Sequence, residues 1–134
     1  RFTYKDNPIN VTIDFPKDYN ILSDEYRLNV ILNNIISNAF KYRNPYIDNS
    51  YIKISLSFDA KKQYIHIEDN GIGISPKYID KIFDMFYRAD NFKSGSGLGL
   101  YIVREMADKI KAVITAESET NQGSKFTICL PKKP

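Results

Sequence analysis

Between Asp24 and Tyr42, the residues Leu28, Ile31, Leu32, Ile35, Ile36 and Ala39 recur at intervals of three and four, the spacing that gathers apolar side chains on one face of an α-helix. Ser23 and Asp24 stand ahead of this run as N-cap residues, and the polar segment RNPYIDNS ends it. A helix with one apolar stripe must bury that stripe against a second layer. The rest of the chain supplies strands for the purpose. INVTIDF, YIKISLSF and QYIHIED alternate apolar and polar residues, the last two joined by DAKK, and AVITAES and KFTICLP form a terminal pair around ETNQGS. Ser75 and Pro76 suit the N-cap and first position of a short helix reaching Phe83, and Leu98, Ile102, Val103, Met106, Ala107 and Ile110 mark a third helix. The order strand, helix, two strands, two helices, two strands has too few strand-helix alternations for a doubly wound sheet. It predicts a two-layer α/β sandwich, in which a mixed sheet of about five strands carries three helices on one face.

Layers of this kind, in 134 residues of which 43% are hydrophobic, bury the core of a single domain spanning residues 1–134. The net charge of +3 comes from 19 basic and 16 acidic residues without a run of five like charges, so the footprint of a nucleic-acid or polybasic membrane binder is missing. The single Cys129 excludes an internal disulfide and a multi-cysteine metal site, and its place in KFTICLP is that of a strand thiol in a reducing compartment. There is no signal-peptide pattern and no apolar stretch near 18 residues, and the chain opens on Arg1. A cytoplasmic domain excised from a larger protein is expected.

Glycines 95, 97 and 99 lead into an apolar run in KSGSGLGLYI, a pattern that suggests a phosphate loop. Position 100 is Leu where a dinucleotide fingerprint needs Gly, and no Gly-Lys-Ser/Thr follows as a P-loop requires. Two other stretches carry clearer chemistry. On the first helix, Asn34, Asn38 and Lys41 share an arc of roughly 60° at ~100° per residue, beside the apolar face. Two amides and an amine held there fit a hydrated magnesium and phosphate oxygens, and equally fit a polar helix edge. At the end of QYIHIED, Asp69 enters DNGIGI, where Gly71 and Gly73 permit backbone angles and close approaches closed to other residues. A tight turn is one reading. The other is a carboxylate that accepts from the adenine amino group and repels the carbonyl of guanine.

Taken in order, LNVILNNIISNAFKY, IEDNGIGI, KIFDMFYRAD, GSGLGLYIVREMAD and GSKFTICLP resemble the N, G1, F, G2 and G3 boxes of the ATP-binding domain of bacterial sensor histidine kinases, over residues 10–131. The wider superfamily, with gyrase-type topoisomerases, ninety-kilodalton heat-shock chaperones and mismatch-repair ATPases, shares the Bergerat two-layer fold. The resemblance implies ATP and Mg²⁺ as ligands. By the same resemblance Asn38 matches the magnesium-binding Asn, with Asn34 as its companion, Lys41 a phosphate-contacting Lys, and Tyr42 a residue lying against the nucleotide. Asp69 matches the adenine-reading Asp, Gly71, Gly73 and Ile74 fall in G1, and Ser124 matches a hydroxyl that shares a water network with that Asp and the base. Arg88, just after Phe83 and Phe86 of the F box, matches an Arg that approaches the γ-phosphate. Gly95, Gly97, Leu98 and Gly99 fall in G2, which hinges an ATP lid over the flexible polar stretch 88–96 and offers backbone N–H groups to the phosphates at a helix N-terminus.

Two departures from the family pattern matter. Relatives often carry a Gly pair where this chain reads KIKA, a change expected to alter a helix end and leave the site intact. ATPase members carry a water-activating Glu at the position of Asn34, and a neutral amide is no useful general base, so ATP should be held without fast hydrolysis. Asn34, Lys41 and Arg88 form the expected catalytic set for phosphoryl transfer. His66, the single histidine, alternates outward with Tyr64 and Glu68 and is expected to be a surface strand residue. The acceptor is therefore expected on the dimerisation and histidine-phosphotransfer domain of a parent protein, with a response regulator downstream. That parent would be a homodimer that can be anchored in the inner membrane, and the isolated domain a monomer. Two alternatives share the nucleotide boxes: an anti-sigma-type serine kinase, and a non-catalytic nucleotide-sensing module that binds a partner through F-box residues such as Phe86 and Phe92.

Overall fold

The computed structural model describes residues 8–85, 87 and 98–132. Along the chain these form β1 (Asn10–Asp14), α1 (Glu25–Lys41), β2 (Tyr51–Phe58), β3 (Lys62–Asp69), a 3-10 helix (Pro76–Lys81), α2 (Gly99–Lys109), β4 (Val113–Glu119) and β5 (Gly123–Pro131). Helix α1 starts where Asp24 caps it: Oδ1 accepts from the Arg27 N–H at 3.0 Å and Oδ2 pairs with Arg27 Nη1 at 2.7 Å. Glu25 in the first turn and Lys41 in the last complement the helix dipole.

The five strands described make one sheet in the order β1-β2-β3-β5-β4. α1 crosses between β1 and β2, so these pair in parallel, whereas β2-β3, β3-β5 and β5-β4 are antiparallel. The sheet is mixed, as the element order predicts. Ile52, Ile54 and Leu56 of β2, Ile65 and Ile67 of β3, and Phe126, Ile128 and Leu130 of β5 turn to one side. They form a single buried cluster with Leu28, Ile31, Ile35 and Ala39 of α1 and Val103 and Ala107 of α2. Burial of each such Ile or Leu contributes about 1.5–3 kcal/mol, so the two-layer arrangement follows from the alternation itself. Lys53, Ser55, Tyr64, His66, Lys125 and Thr127 occupy the other side. No helix among the described residues is long and apolar enough to cross a membrane.

Three details refine the sequence expectations. The short helix after Ser75 is a 3-10 helix ending at Lys81 and buries none of its own side chains, so it lacks the stripe that would extend it into an α-helix. β5 begins at Gly123, two residues before KFTICLP, because only Thr120–Gln122 are needed to turn the chain, closed by Gln122 N–H donating to Glu119 O at 3.0 Å. In KIKA, Lys111 adopts φ 60° after α2, with its N–H donating to Asp108 O at 3.3 Å and the Ala112 N–H to Ala107 O at 2.8 Å. This is the left-handed closure that Gly adopts without strain, made here by Lys.

Candidate functional site

The inward rows of the sheet change character at one end. On β3 the series Gln63, Ile65, Ile67 continues to Asp69; on β5 Leu130, Ile128, Phe126 continues to Ser124, which lies opposite Asp69 in register. On β4 the series Ile114, Ala116 continues to Ser118, opposite Ser124. Alternation thus carries polar side chains past the edge of the core. Asp69 and Ser124 become the floor of a cleft of about 630 Å³.

Asn34, Asn38, Lys41 and Tyr42 of the first helical segment, Gly73 and Ile74 of the following loop, and Leu98 and Gly99 at the start of α2 line the same cleft. The fold therefore brings together the two stretches whose chemistry stood apart in sequence. Gly71 stands behind the floor, and its N–H donates to Asp69 Oδ1 at 2.8 Å. Arg88, Gly95 and Gly97, the stretch 88–96, Phe86 and Phe92 lie outside the described residues.

The glycines of DNGIGI are required by the protein's own backbone. A Cβ on Gly71 would lie 2.5 Å from Tyr42 O, and one on Gly73, at φ 72°, would lie 2.0 Å from Glu119 O. Between them, Ile72 N–H donates to Tyr42 O at 3.0 Å and Ile72 O accepts from Asn121 N–H at 2.7 Å. The loop is strapped between the end of α1 and the β4-β5 turn, which holds Asp69 against the helix that carries Asn38.

Burial pushes the Asp69 carboxyl above the ordinary carboxylate value, while N–H groups of Gly71 and Ser124 pull it down and the Glu68 charge adds to the rise. Its acceptor character is thus concentrated in a place poor in water. Asn34 Nδ2 donates to Val30 O at 2.8 Å, which leaves the amide oxygen as its acceptor, and a methyl built on Gly99 would lie 3.3 Å from that oxygen. The Asn34 oxygen therefore faces the start of α2. Lys41 Nζ sits 5.2 Å from the centre of the Tyr42 ring, a cation-π contact that keeps the ammonium at this edge of the cleft. Among the described residues no cluster of three His, Cys, Asp or Glu could hold a metal, so a cation here would rely on neutral amide oxygens and on oxygens of its ligand.

His66 is on the outer side of the sheet, with Nε2 2.9 Å from Ser57 Oγ and Nδ1 3.2 Å from Thr127 Oγ1. Burial, with the Lys125 charge, lowers its pKa below the ordinary histidine value. Sequence reasoning did not single out Tyr78, Tyr87, Thr120 and Asn121, which line the cleft, or Ser118, which stands one step behind its floor. The alternation of AVITAES holds the signal for Ser118, two residues beyond the inward Ala116.

A family model described as histidine kinase-, DNA gyrase B-, and HSP90-like ATPase matches residues 23–134. Sensor protein RprX of Bacteroides fragilis is 38% identical over 115 residues, which are 83% of this chain and 22% of RprX. Sensor histidine kinase WalK of Bacillus subtilis is 36% identical over 121 residues, 87% of this chain and 20% of WalK. The chain spans about a fifth of the length of these curated relatives. Among solved structures, the mycobacterial sensor histidine kinase MprB aligns with a TM-score of 0.79 at 25% identity, over 94% of this chain and 83% of that one. Full-length ShkA, solved in complex with AMPPNP, aligns with a TM-score of 0.79 at 28% identity, over 92% of this chain and 26% of ShkA. With its mixed sheet, its cleft and these relatives, the chain belongs to the histidine kinase-, DNA gyrase B-, and HSP90-like ATPase family, as an ATP-binding domain of the sensor histidine kinase type.

Proposed function

We propose that the chain is the single ATP-binding domain of a larger sensor kinase, binding Mg-ATP and donating the γ-phosphoryl group to a histidine on a separate dimerisation helix. The observation that carries this reading is one cleft that joins a buried acceptor carboxylate, Asp69, to the amides and ammonium of Asn34, Asn38 and Lys41. The AMPPNP complex of ShkA supports a nucleotide at this fold.

In this reading Asp69 accepts from the adenine amino group, and Tyr42 and Ile74 flank the base. The loop glycines Gly71 and Gly73 hold Asp69 in place. Lys41, together with Arg88, offsets charge on the γ-phosphate, and backbone N–H groups of the G2 segment, Gly95, Gly97, Leu98 and Gly99, meet the phosphates. Asn38, with Asn34, would hold Mg²⁺, which would supply positive charge to offset that of the phosphates. A donor set that has no clustered carboxylates among the described residues suits a metal that would bring phosphate oxygens with it. Asn34 has no basic lone pair to take a proton from water, so the bound nucleotide waits for an acceptor. Both ring nitrogens of His66 are engaged on the opposite side of the sheet, so the acceptor comes from the phosphotransfer domain of the parent, and a response regulator receives the group next. Dependence on cellular ATP puts the domain on the cytoplasmic side.

The test combines the chain with γ-labelled Mg-ATP and a dimerisation fragment bearing the histidine of a relative such as WalK. Acid-labile label on the fragment is expected, lost in Asp69→Ala. Acid-stable label on serine would favour a serine kinase. Nucleotide binding with no transfer to any histidine-bearing fragment would favour a nucleotide-sensing module.

A further inference from the structure

Behind the floor of the cleft runs a chain of hydrogen bonds whose proton direction is dictated by valence. Ser118 Oγ accepts from the Ile74 N–H at 2.7 Å, donates to Gly123 O at 2.8 Å and lies 2.8 Å from Ser124 Oγ. A serine hydroxyl has one proton and two lone pairs. The Ser118 proton is committed to a carbonyl that can only accept, and one lone pair is taken by an N–H that can only donate. What Ser118 offers Ser124 is its remaining lone pair. The Ser124 hydroxyl must therefore donate to Ser118, and Ser124 turns only lone pairs toward the cleft. Asp69, its neighbour in register, is likewise an acceptor when ionised.

We propose that Ser118 is a specificity-determining positioning residue: by holding Ser124 as an obligate acceptor, it makes the floor favour a purine with a 6-amino donor over one with a 6-oxo group. The inference rests on the adenine-nucleotide reading above and deepens it. An amino group has two protons and can serve Asp69 and Ser124 together by direct contact. A 6-oxo oxygen meets lone pairs from both. Released from Ser118, the Ser124 hydroxyl can rotate and give its proton to that oxygen, so discrimination falls back on Asp69 alone.

Calorimetric affinities for Mg-ATP and Mg-ITP are measured on the 134-residue chain as wild type, Ser118→Ala and Ser118→Thr. Wild type should prefer ATP. Ser118→Ala should lower the ATP-to-ITP affinity ratio by ~5-fold, the worth of about one net hydrogen bond, and Ser118→Thr, which keeps the hydroxyl, should restore it. Ser118→Cys, with a poor acceptor of similar size, takes the place of Ser118→Ala if circular dichroism shows the latter unfolded. A folded Ser118→Ala or Ser118→Cys chain that weakens both nucleotides equally overturns this inference alone, because that is the mark of a merely structural role. A wild-type chain that binds neither nucleotide, or binds both equally, overturns the adenine reading beneath it.

Discussion

Replacing Asp69 by Asn changes the charge at the floor of the cleft while keeping its shape. Because the Gly71 N–H donates to Oδ1 at 2.8 Å, that position stays an oxygen in the variant and the NH₂ takes the place of Oδ2. The atom that would face adenine turns from acceptor to donor. Losing a hydrogen bond to a charged acceptor costs about 1.5–3 kcal/mol, and two opposed donors add to this, so the affinity for Mg-ATP should fall by at least roughly 10- to 150-fold. Stability should move the other way. Burial raises the pKa of Asp69 above its ordinary 3.8, so the folded protein holds this proton more tightly than the unfolded chain. Ionisation then costs stability: nothing below 3.8, and progressively more as pH rises through the raised value. Asn escapes that cost at every pH. Titration calorimetry with Mg-ATP at neutral pH, paired with thermal melts over a descending pH series, reads both effects. The variant should melt at or above wild type at neutral pH, with the gap closing as the ordinary carboxylate value is approached. Wild-type affinity in Asp69→Asn, or a variant that melts lower while still binding ATP, would refute the reasoning.

Lys111→Gly should stabilise the fold: removing left-handed strain gains about 1–2 kcal/mol, and the extra freedom of an unfolded Gly takes back about 0.5–1. The melting temperature should rise by up to roughly 6 °C with nucleotide affinity unchanged, and a fall below wild type would show that the left-handed geometry costs Lys nothing here. Gln63 is buried, with Oε1 accepting from Tyr19 Oη at 2.8 Å and Nε2 donating to Pro131 O at 2.9 Å, and both atoms 3.4 Å from the backbone of Leu22. Gln63→Leu strands these partners and should lose about 2–4 kcal/mol by urea denaturation; a change inside 0.5 kcal/mol would mean that water replaces the amide.

Most of the elements could be read from the residue order because each announces itself locally. The stripe from Leu28 to Ala39 specifies a helix wherever it is placed, and QYIHIED and YIKISLSF specify strands with a buried side. The motif segments were readable for the same reason: Asn34, Asn38 and Lys41 are fixed relative to one another by one helix, and Asp69 by its position two residues past the inward Ile67. The segment after Ser75 was harder, since six residues with no buried stripe leave period-based reasoning nothing to separate a 3-10 helix from an α-helix. The start of β5 is not legible in composition, because pairing with β3 extends the strand back to Gly123.

What residue order could not supply was contact between distant segments. Whether Asp69 was a turn residue or the floor of a cleft depended on which strand came to lie beside β3, and the register that sets Ser124 opposite Asp69 is a property of the assembled sheet. The glycines of DNGIGI read as a tight turn or a close approach, but the atoms that forbid a side chain there, Tyr42 O after α1 and Glu119 O at the end of β4, are distant in sequence. Ser118 is an ordinary serine on a strand until packing commits its proton to Gly123 O and its lone pairs to Ile74 and Ser124. Periodicity is carried by neighbours along the chain and survives without a fold. The direction of a proton is set by partners that only folding brings within 3 Å.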